Sequence, residues 1–406
     1  MSGINVLKYT NMRIERIKLK NYKLYRDIEL DNLSDMVIIV GANGSGKSTF
    51  FDIFSFLSDA LRGNVRQALQ KRGGFKEVIS REQSGCIEIE LQFKLIIAGK
   101  ERLVTYHLEI AEERGQAYVQ REILRYKRGA YGSPFHFLNF SKGQGYAISN
   151  EEDFDKPDED LERDYQTLIS PDILAIKGLG QFERFKAANA FRSFIENWHV
   201  SDFHIESARP SKEAGYAEHL SPTGENLPLV AQYLFENHKD IFDKILDKMK
   251  KRVPGITNVT AESTIDGRIV LRFQDGAFQD PFIANFVSDG TIKMFAYLLL
   301  LNDPSPHPIL CVEEPENQLY STLLIELIEE FRLYAKRGKG QVFVSSHSPE
   351  LLNGAYPEEV YWLVKKDGYT KIERASEHPE IVALYNEGDK LGYLWNENYF
   401  KGSNPK

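Results

Sequence analysis

The stretch that decides the fold is residues 36–49, MVIIVGANGSGKST. Its first five residues are apolar and predict a short buried β-strand. The sequence that follows, FFDIFSFLSDALRGNVRQALQ from Phe50, has apolar residues at spacings of three and four and predicts a helix. The segment between them, Gly41 to Ser48, matches G-x-x-x-x-G-K-[ST] in the strand–loop–helix context that this motif requires. The sequence therefore predicts a phosphate-binding P-loop.

The residue types of this loop suit the phosphates of ATP. Glycines allow backbone N–H groups to surround phosphate oxygens, and the helix N-terminus adds a favourable dipole. In this motif the lysine, Lys47, reaches the β- and γ-phosphates, and the hydroxyl of Ser48 binds Mg²⁺. The alternative is an accidental glycine turn, which the flanking strand and helix disfavour. The predicted ATP-binding residues are Asn43, Gly44, Ser45, Gly46, Lys47, Ser48 and Thr49.

A second apolar strand, at residues 308–312, ends in the carboxylates Glu313 and Glu314. In a P-loop protein the first carboxylate can hold hydrated Mg²⁺, and the second can orient or deprotonate the attacking water. The first position is usually Asp. Glu313 is one methylene longer, so we expect a water-mediated contact with the metal. The alternative is a strand that ends in two solvated acids.

Two further segments carry residues of the same chemistry. Residues 288–291, SDGT, open the helical pattern IKMFAYLLLL, so Ser288 is a predicted N-cap and the helix N-terminus is a second phosphate site. His347 follows the strand pattern VFVSS and can contact the γ-phosphate or the attacking water. Ordinary helix capping and a surface histidine at a turn are the alternatives, and local sequence alone favours both of them.

This set of motifs, in this order, resembles the ABC-type ATPase heads of the SMC and RecF class. More specifically, the chain resembles the stand-alone RecF/SMC-like predicted ATPases that are grouped with the AAA proteins. The resemblance spans nearly the whole chain and includes IERIKLKNYKLYRDIELDNL at 14–33, EEPENQLY at 313–320 and GDKLGYLWNENYFKGSNP at 388–405. It implies ATP and Mg²⁺ as cofactors, and a homodimer or higher even-numbered oligomer in which two protomers sandwich two ATP molecules.

The resemblance also implies roles for individual residues. Glu314 would be the catalytic general base and His347 the catalytic switch histidine, with Ser48 and Glu313 as metal ligands. Asn317 falls in the dimer-contacting loop. The signature residues that would act in trans on the partner's γ-phosphate are Ser288, Asp289, Gly290 and Thr291.

Two positions depart from the family pattern. The family often has Leu-His-Pro after the EPEN stretch, whereas this chain has Tyr320 at the histidine position, where a packing role is expected. The glutamine of the Q-loop has no clear counterpart. Gln181 is a weak candidate for this glutamine, and the interpretation that it has no nucleotide-binding role is favoured.

The predicted fold class is α/β: an ABC-type P-loop NTPase head, with a mixed sheet and helices on both faces, and a mainly helical insert. The N-terminal part of the head would occupy residues 1–127 and the C-terminal part residues 256–406. The insert would occupy 128–255. Within it, residues 128–165 are rich in Gly, Ser, Asn, Asp and Glu and are predicted as loop.

The charge of the 406-residue chain is uneven. The net charge of −8 excludes a uniformly basic nucleic-acid sleeve. Residues 151–164 contain nine acidic and two basic residues and account for most of this charge. They are interpreted as a solvated loop, with a docking loop for a basic partner as the alternative. Basic runs within residues 1–26 and at 248–252 leave contact with nucleic acid open, although solvated faces are favoured.

Composition also indicates a location. Two cysteines exclude a disulfide framework, the N-terminus lacks an apolar core, and the longest apolar run, residues 294–301, is too short to span a bilayer. A cytoplasmic protein without a membrane segment is therefore expected.

The predicted function is ATP hydrolysis that controls a partner effector, a nuclease or toxin encoded nearby, in anti-phage defence. The sequence shows no nuclease constellation of its own. The alternatives are a largely non-hydrolysing ATP-bound scaffold that sequesters an effector, and a RecF-like DNA repair ATPase.

Overall fold

The computed structural model describes residues 12–97, 100–127, 134–150, 156 and 160–403. These residues form a central, mostly parallel sheet. A large antiparallel sheet with five helices covers one face, and eight helices with a small antiparallel sheet cover the other.

The two ends of the chain build the central sheet together. Its strands are β3 (Met36–Val40), β10 (His199–Ser201), β15 (Ile309–Glu313), β16 (Gln341–Ser346), β17 (Val360–Lys366) and β18 (Tyr369–Arg374). Their order is β10-β15-β16-β3-β17-β18, parallel except for the last pair. All five residues of β3 are buried; Val37 and Ile39 face one core, and the other three face the second. Burial on both faces explains why this strand contains no polar residue.

The first core lies between the central sheet and the antiparallel sheet. The antiparallel strands are β1 (Ile14–Tyr22), β2 (Tyr25–Leu30), β4 (Ile87–Ile97), β5 (Lys100–Glu113), β6 (Gln116–Tyr126), β7 (Phe135–Ser141), β8 (Gln144–Ile148) and β9 (Arg163–Thr167), in the order β2-β1-β4-β5-β6-β7-β8-β9. The helices of this core are α1 (Lys47–Arg62), α2 (Val65–Gln70), α3 (Phe75–Val78), α4 (Ala175–Leu179) and α5 (Lys186–Glu196). Phe54 of α1 packs against Phe343 of β16, with ring centroids 5.0 Å apart. The helix that follows the P-loop is thereby fixed to the central sheet.

The second core lies on the opposite face. It contains α6 (Ile205–Ala208), α7 (Leu227–Asn237), α8 (Lys239–Arg252), α9 (Asp289–Leu301), α10 (Ser321–Lys336), α11 (Pro349–Leu352), α12 (Pro379–Glu387) and α13 (Leu391–Asn396). The small sheet beside it contains β11 (Lys212–Glu213), β12 (Ile256–Ser263), β13 (Arg268–Asp275) and β14 (Phe282–Ile283). Every residue of α9 after its first is buried, as expected for a helix that is apolar on all sides.

The segment 128–255 differs from the predicted insert. Its described residues contain strands β7 to β11 as well as helices α4 to α8, and β7 to β9 extend the antiparallel sheet. In β7 the pattern FHFLNFS buries four apolar side chains, but polar residues and the Lys142-Gly143 turn interrupt the alternation that predicts a strand. Strand β10 was not predicted from the sequence, because a strand of three residues has no periodic pattern. The division at residues 127 and 255 stays a prediction.

The charged segments are only partly described. Most of the acidic tract 151–164 lies outside the described residues, as does Lys8. Most of the described N-terminal cations are paired: Arg16 contacts Glu29, and Lys20 contacts Glu88 with Nζ 2.8 Å from Oε1, whereas Arg26 lies over the ring of Tyr369. Lys248 and Arg252 pair with Glu330 at 2.6 Å. These ion pairs favour a structural interpretation of both basic runs. Within the described residues, no helix combines the length and apolarity needed to cross a membrane.

Candidate functional site

The P-loop connects β3 to α1 and leaves the N-terminus of α1 open. Gly44 and Gly46 have positive φ angles of 75° and 113°, and the first turn of α1 carries no acidic residue. The hydroxyl of Tyr25 donates to the Gly46 carbonyl at 2.8 Å, and Thr370 Oγ1 donates to the Ser45 carbonyl at 2.6 Å. A Cβ at position 46 would lie 2.9 Å from Thr370 Oγ1. Strands β2 and β18 therefore stabilise the conformation of the loop. The sequence of the loop itself does not indicate this support.

Lys47 places its ammonium group inside this loop. Its Nζ donates to the Gly41 carbonyl at 2.9 Å and lies 3.9 Å from Glu314 Oε1. Burial lowers the pKa of Lys47, while the nearby carboxylates of Glu314, Glu316 and Glu313 oppose that shift. The ammonium contacts are of the kind that phosphate oxygens replace in a P-loop.

Glu313 stands at the carboxyl end of β15, beside the start of α1. Burial raises the pKa of Glu313 to about 7; the nearby Ser48 hydroxyl opposes that shift, and the charges of Asp202 and Glu314 add to it. A hydroxyl next to a carboxylate that is unfavourably charged fits Mg²⁺, because a divalent cation prefers oxygen ligands and neutralises the carboxylate. Ser48 and Glu313 are therefore the residues that would hold the metal.

Glu314 lies at the centre of the polar contacts. Its backbone has a positive φ of 42°, and its N–H donates to the Ser345 carbonyl of β16 at 3.0 Å. Asn317 Nδ2 donates to its Oε2 at 3.1 Å, and His347 Nδ1 lies 3.5 Å from its Oε1. The predicted general base and the predicted switch histidine are thus brought together.

Glu316 is a residue that sequence reasoning missed. Its Oε1 accepts hydrogen bonds from Ser346 Oγ at 2.8 Å and from the backbone N–H of His347 at 2.7 Å. His347 Nδ1 also lies 3.2 Å from the same oxygen. Glu316 therefore joins the loop after β15 to the end of β16 and positions the histidine. The EPEN stretch contained this residue, but its sequence alone gave it no role.

A cleft of about 910 Å³ adjoins these groups and is lined by Ser48, Glu313 and Glu314 and by the charged residues Asp202, Glu206 and Lys293. Asp202 follows β10, whose Ser201 pairs with Val312 of β15, so Asp202 lies beside Glu313. Lys293 of α9 donates from Nζ to the Asn317 carbonyl at 2.8 Å. Burial lowers the pKa of Lys293 to about 8. No role was assigned to Lys293 from the sequence, although a single lysine in the apolar stretch IKMFAYLLLL could have indicated one.

The signature segment 288–291 lies elsewhere on the surface. Ser288 Oγ accepts from the backbone N–H of Thr291 at 3.3 Å, which confirms the predicted N-cap, and Asp289 pairs with Arg209. A Cβ on Gly290 would lie 2.9 Å from the Gln318 carbonyl oxygen. Among the described residues, none of the signature residues lines the large cleft. Ser288, Asp289 and Gly290 border a second open depression of about 360 Å³, together with Gln318, Leu319 and Tyr320.

Two weaker assignments look different in the structure. Gln181 is exposed, donates from Nε2 to the Lys177 carbonyl at 3.1 Å, and does not line the cleft. Tyr320 is 74% exposed, so the packing role expected for it is wrong within the described part of the chain. Asp202, at a strand end beside Glu313, lines the cleft, whereas Gln181 does not.

The fold and the site together define an ABC-type P-loop ATPase head. The phosphate loop, the paired carboxylates and the histidine all follow adjacent strands of one mostly parallel sheet. The chain belongs to the family described as "AAA domain, putative AbiEii toxin, Type IV TA system", which matches residues 36–353.

Comparisons with known proteins agree with this class. The DNA double-strand break repair Rad50 ATPase of Saccharolobus solfataricus is 31% identical over 117 residues, which are 28% of this chain and 13% of that protein. The chain thus matches only about an eighth of the length of this relative. The Smc head bound to the C-terminal winged-helix domain of ScpA superposes with a TM-score of 0.54 at 15% identity, covering 89% of this chain and 97% of that one. A Smc head with an extended coiled coil, bound to the C-terminal domain of ScpA derived from Pyrococcus furiosus, gives 0.50 at 14% identity, covering 92% and 100%. The chain is an SMC/RecF-like ABC ATPase in fold.

Proposed function

We propose that this chain binds Mg-ATP between two copies of itself and hydrolyses it, with the nucleotide state controlling a partner effector. The single observation that supports hydrolysis best is the position of Glu314. Its Oε1 lies within 3.9 Å of the P-loop lysine and 3.5 Å of His347. A carboxylate held between the phosphate-binding ammonium and a histidine is placed to accept a proton from water near the γ-phosphate.

Mg²⁺, when bound, neutralises phosphate charge and organises the oxygens around the γ-phosphate. The groups of this chain would do the rest. Lys47 and the N–H groups of the P-loop bind the phosphates, and His347 donates to a γ-phosphate oxygen. Glu316 and Asn317 hold His347 and Glu314 in place through the contacts described above. Each of these side chains comes from the carboxyl end of a central strand or the loop that follows it.

The exposed face around residues 288–291 supports a dimer. Phe286 is 78% exposed and Tyr320 is 74% exposed, and both flank the signature segment. Large aromatic side chains beside a polar helix N-terminus are typical of a surface that a partner covers. The occupant we propose is the nucleotide-bearing P-loop of a second copy, for which the α9 N-terminus supplies N–H groups.

The test of hydrolysis is a single-turnover assay with radiolabelled ATP on the wild type, Glu314→Gln and Glu329→Gln. Glu329 is exposed on α10 and serves as the matched control. We expect Glu314→Gln to slow hydrolysis at least about a hundredfold while ATP binding persists, and the control to behave as the wild type. Equal turnover by Glu314→Gln and the wild type would show that Glu314 is not the general base.

The proposal also includes control of an effector in anti-phage defence. It is supported by the family, whose description names a putative AbiEii toxin and a type IV toxin–antitoxin system. We expect an effector nuclease or toxin to co-purify in the presence of ATP and to be lost with Lys47→Ala. A neighbouring gene for such an effector would support this role, and its absence together with an empty pull-down would contradict it.

A non-hydrolysing scaffold is the second candidate, and the raised pKa of Glu313 favours it. A carboxylate that is partly protonated at neutral pH binds Mg²⁺ less readily, which slows turnover. Stable ATP-bound dimers with no turnover in the assay above would support this candidate. A DNA repair role gains little support from the basic runs, since most of their described members form ion pairs within the chain.

A further inference from the structure

A cluster of histidines lies at the end of the central sheet opposite the P-loop. His307 precedes β15 by one residue, and Asp303 follows α9 by one residue. His219 comes from the loop before α7. One ligand atom from each of these three residues lies within 4.8 Å of the other two. Neither the P-loop chemistry nor the family described above assigns a role to this cluster.

The hydrogen bonds of the cluster leave a metal-binding nitrogen free. His307 Nδ1 donates to the Asn197 carbonyl at 3.0 Å, so its Nε2 carries the lone pair. That Nε2 is buried and has no hydrogen-bond partner among the described residues. A backbone carbonyl that fixes the other ring nitrogen is the arrangement that metal-ligating histidines adopt.

Asp303 supplies a buried carboxylate. It is only 5% exposed, and its Oδ1 already accepts from the Ser305 N–H at 2.8 Å. Its Oδ2 lies 2.8 Å from His219 Nδ1, and the His219 side chain is 43% exposed. The half-exposed imidazole therefore forms the mouth of the cluster, where an ion can enter and displace a proton from the ring.

A third histidine lies behind this group. His199, at the start of β10, is 4% exposed and stacks on His307 with ring centroids 4.7 Å apart. Its Nε2 is likewise buried without a partner in the described part of the chain. Two unpaired, buried imidazole nitrogens beside one buried carboxylate are unfavourable unless something binds them.

We propose that His219, Asp303 and His307 bind a divalent transition-metal ion of the zinc class, with water or His199 as the fourth ligand. Two imidazoles and one carboxylate are a zinc ligand set, and tetrahedral ligands lie about 3.3 Å apart given Zn–N bonds near 2.05 Å. Magnesium is disfavoured because it prefers oxygen ligands.

The position of the cluster gives the ion a structural role. Helix α9 runs from the signature segment to Asp303, and β15 runs from beside His307 to Glu313. An ion that joins Asp303 to His307 therefore fixes the far ends of the two elements that carry the signature and the metal-binding carboxylate. The backbone at His307 is already held closely, since Tyr334 Oη donates to its carbonyl at 2.8 Å.

The test is a titration of the full-length, metal-free protein with ZnCl₂ in saturating Mg-ADP, which occupies the nucleotide site. Competition with a chromophoric chelator gives affinity, and Co²⁺ absorption reports the ligand geometry. We expect one equivalent of Zn²⁺ per chain in the wild type, and at least tenfold weaker binding in His219→Gln and in Asp303→Asn. His378→Gln is the matched control, because His378 also contacts a single carboxylate, that of Glu373 at 3.0 Å.

A plain ion pair between His219 and Asp303 is the competing explanation. It predicts that both variants lower the thermal midpoint equally with and without Zn²⁺, whereas the metal site predicts that Zn²⁺ raises the midpoint of the wild type only. Zn²⁺ binding that survives in both folded variants, or no binding to the wild type, would overturn the proposal. The result does not depend on ATP hydrolysis, so the two proposals fail separately.

Discussion

Lys47 and Glu314 form an ion pair across the phosphate loop, with Nζ 3.9 Å from Oε1. The same ammonium donates to the Gly41 carbonyl at 2.9 Å, so the lysine is held by its own loop and by the carboxylate that we propose as the general base. A γ-phosphate that enters the loop competes for both contacts. Binding of ATP would then release Glu314 from Lys47 and free the carboxylate to act on water.

Removing the ammonium should therefore weaken nucleotide binding. We expect Lys47→Ala to weaken ATP binding by at least about tenfold, since charge-assisted hydrogen bonds contribute about 1.5–3 kcal/mol. Fluorescence anisotropy with a labelled ATP analogue measures this affinity. Lys71→Ala, at an exposed position after α2, is the control and should bind as the wild type. Unchanged binding by Lys47→Ala would argue that the nucleotide occupies another site.

Asp202 should act on the metal rather than on the nucleotide. It lines the cleft beside Glu313, and its negative charge attracts a divalent ion placed between Ser48 and Glu313. We expect Asp202→Asn to raise the Mg²⁺ concentration for half-maximal hydrolysis by about threefold to tenfold. Binding of ATP without Mg²⁺ should change little. Glu206→Gln, on an exposed residue of the same cleft, is the control, and an equal Mg²⁺ requirement in both variants would contradict the assignment.

The P-loop part of the site could be predicted from the sequence because it depends only on residues that are adjacent in the chain. A buried strand, a glycine turn and a helix start are contiguous, so Lys47 and Ser48 could be placed from spacing alone. Residues 308–314 behave similarly, since an apolar strand that ends in carboxylates is also a local pattern. The signature segment and His347 needed a family resemblance, because capping residues and single histidines are common in other contexts.

The remainder could not be predicted because it depends on contacts between distant segments. Tyr25 and Thr370 support the P-loop from strands that are over 20 and 320 residues away in sequence. Asp202 reaches the cleft only because the three residues of β10 pair with β15. Strands β7 and β8 and most of β9 fall in the segment predicted as loop, because polar residues and glycine interrupt the alternation of apolar residues.

The trans role of the signature can be tested without disturbing the helix that carries it. Asp and Asn both cap helices well, so Ser288→Asp and Ser288→Asn keep the N-cap, and only the first adds a negative charge. If Ser288 faces the γ-phosphate of a second copy, Ser288→Asp should lower steady-state hydrolysis at least about tenfold, because like charges repel. It should also reduce the ATP-dependent dimer measured by light scattering, whereas Ser288→Asn should do so far less. Equal activity of the two variants would mean that no phosphate approaches this residue.

Glu122 should make the stability of the protein depend on pH. Its side chain is fully buried, and its oxygens accept hydrogen bonds from the backbone N–H groups of Ala175 and Ile176 and from the Tyr106 hydroxyl. Burial raises the pKa of Glu122 from 4.5 to about 7. In that window the folded chain holds a proton that the unfolded chain has released. The free energy of unfolding should therefore fall as pH rises from about 4.5 to 7, by up to about 3 kcal/mol.

Urea unfolding at a series of pH values measures this effect on the wild type, Glu122→Gln and Glu113→Gln. The neutral amide of Glu122→Gln has no proton to release, so its stability should vary less between pH 5 and 8 than that of the wild type. Glu113 is an exposed residue on β5, and its variant should follow the wild type. A Glu122→Gln curve parallel to the wild-type curve would show that the carboxylate is charged in the folded state, stabilised there by the two N–H groups at the start of α4.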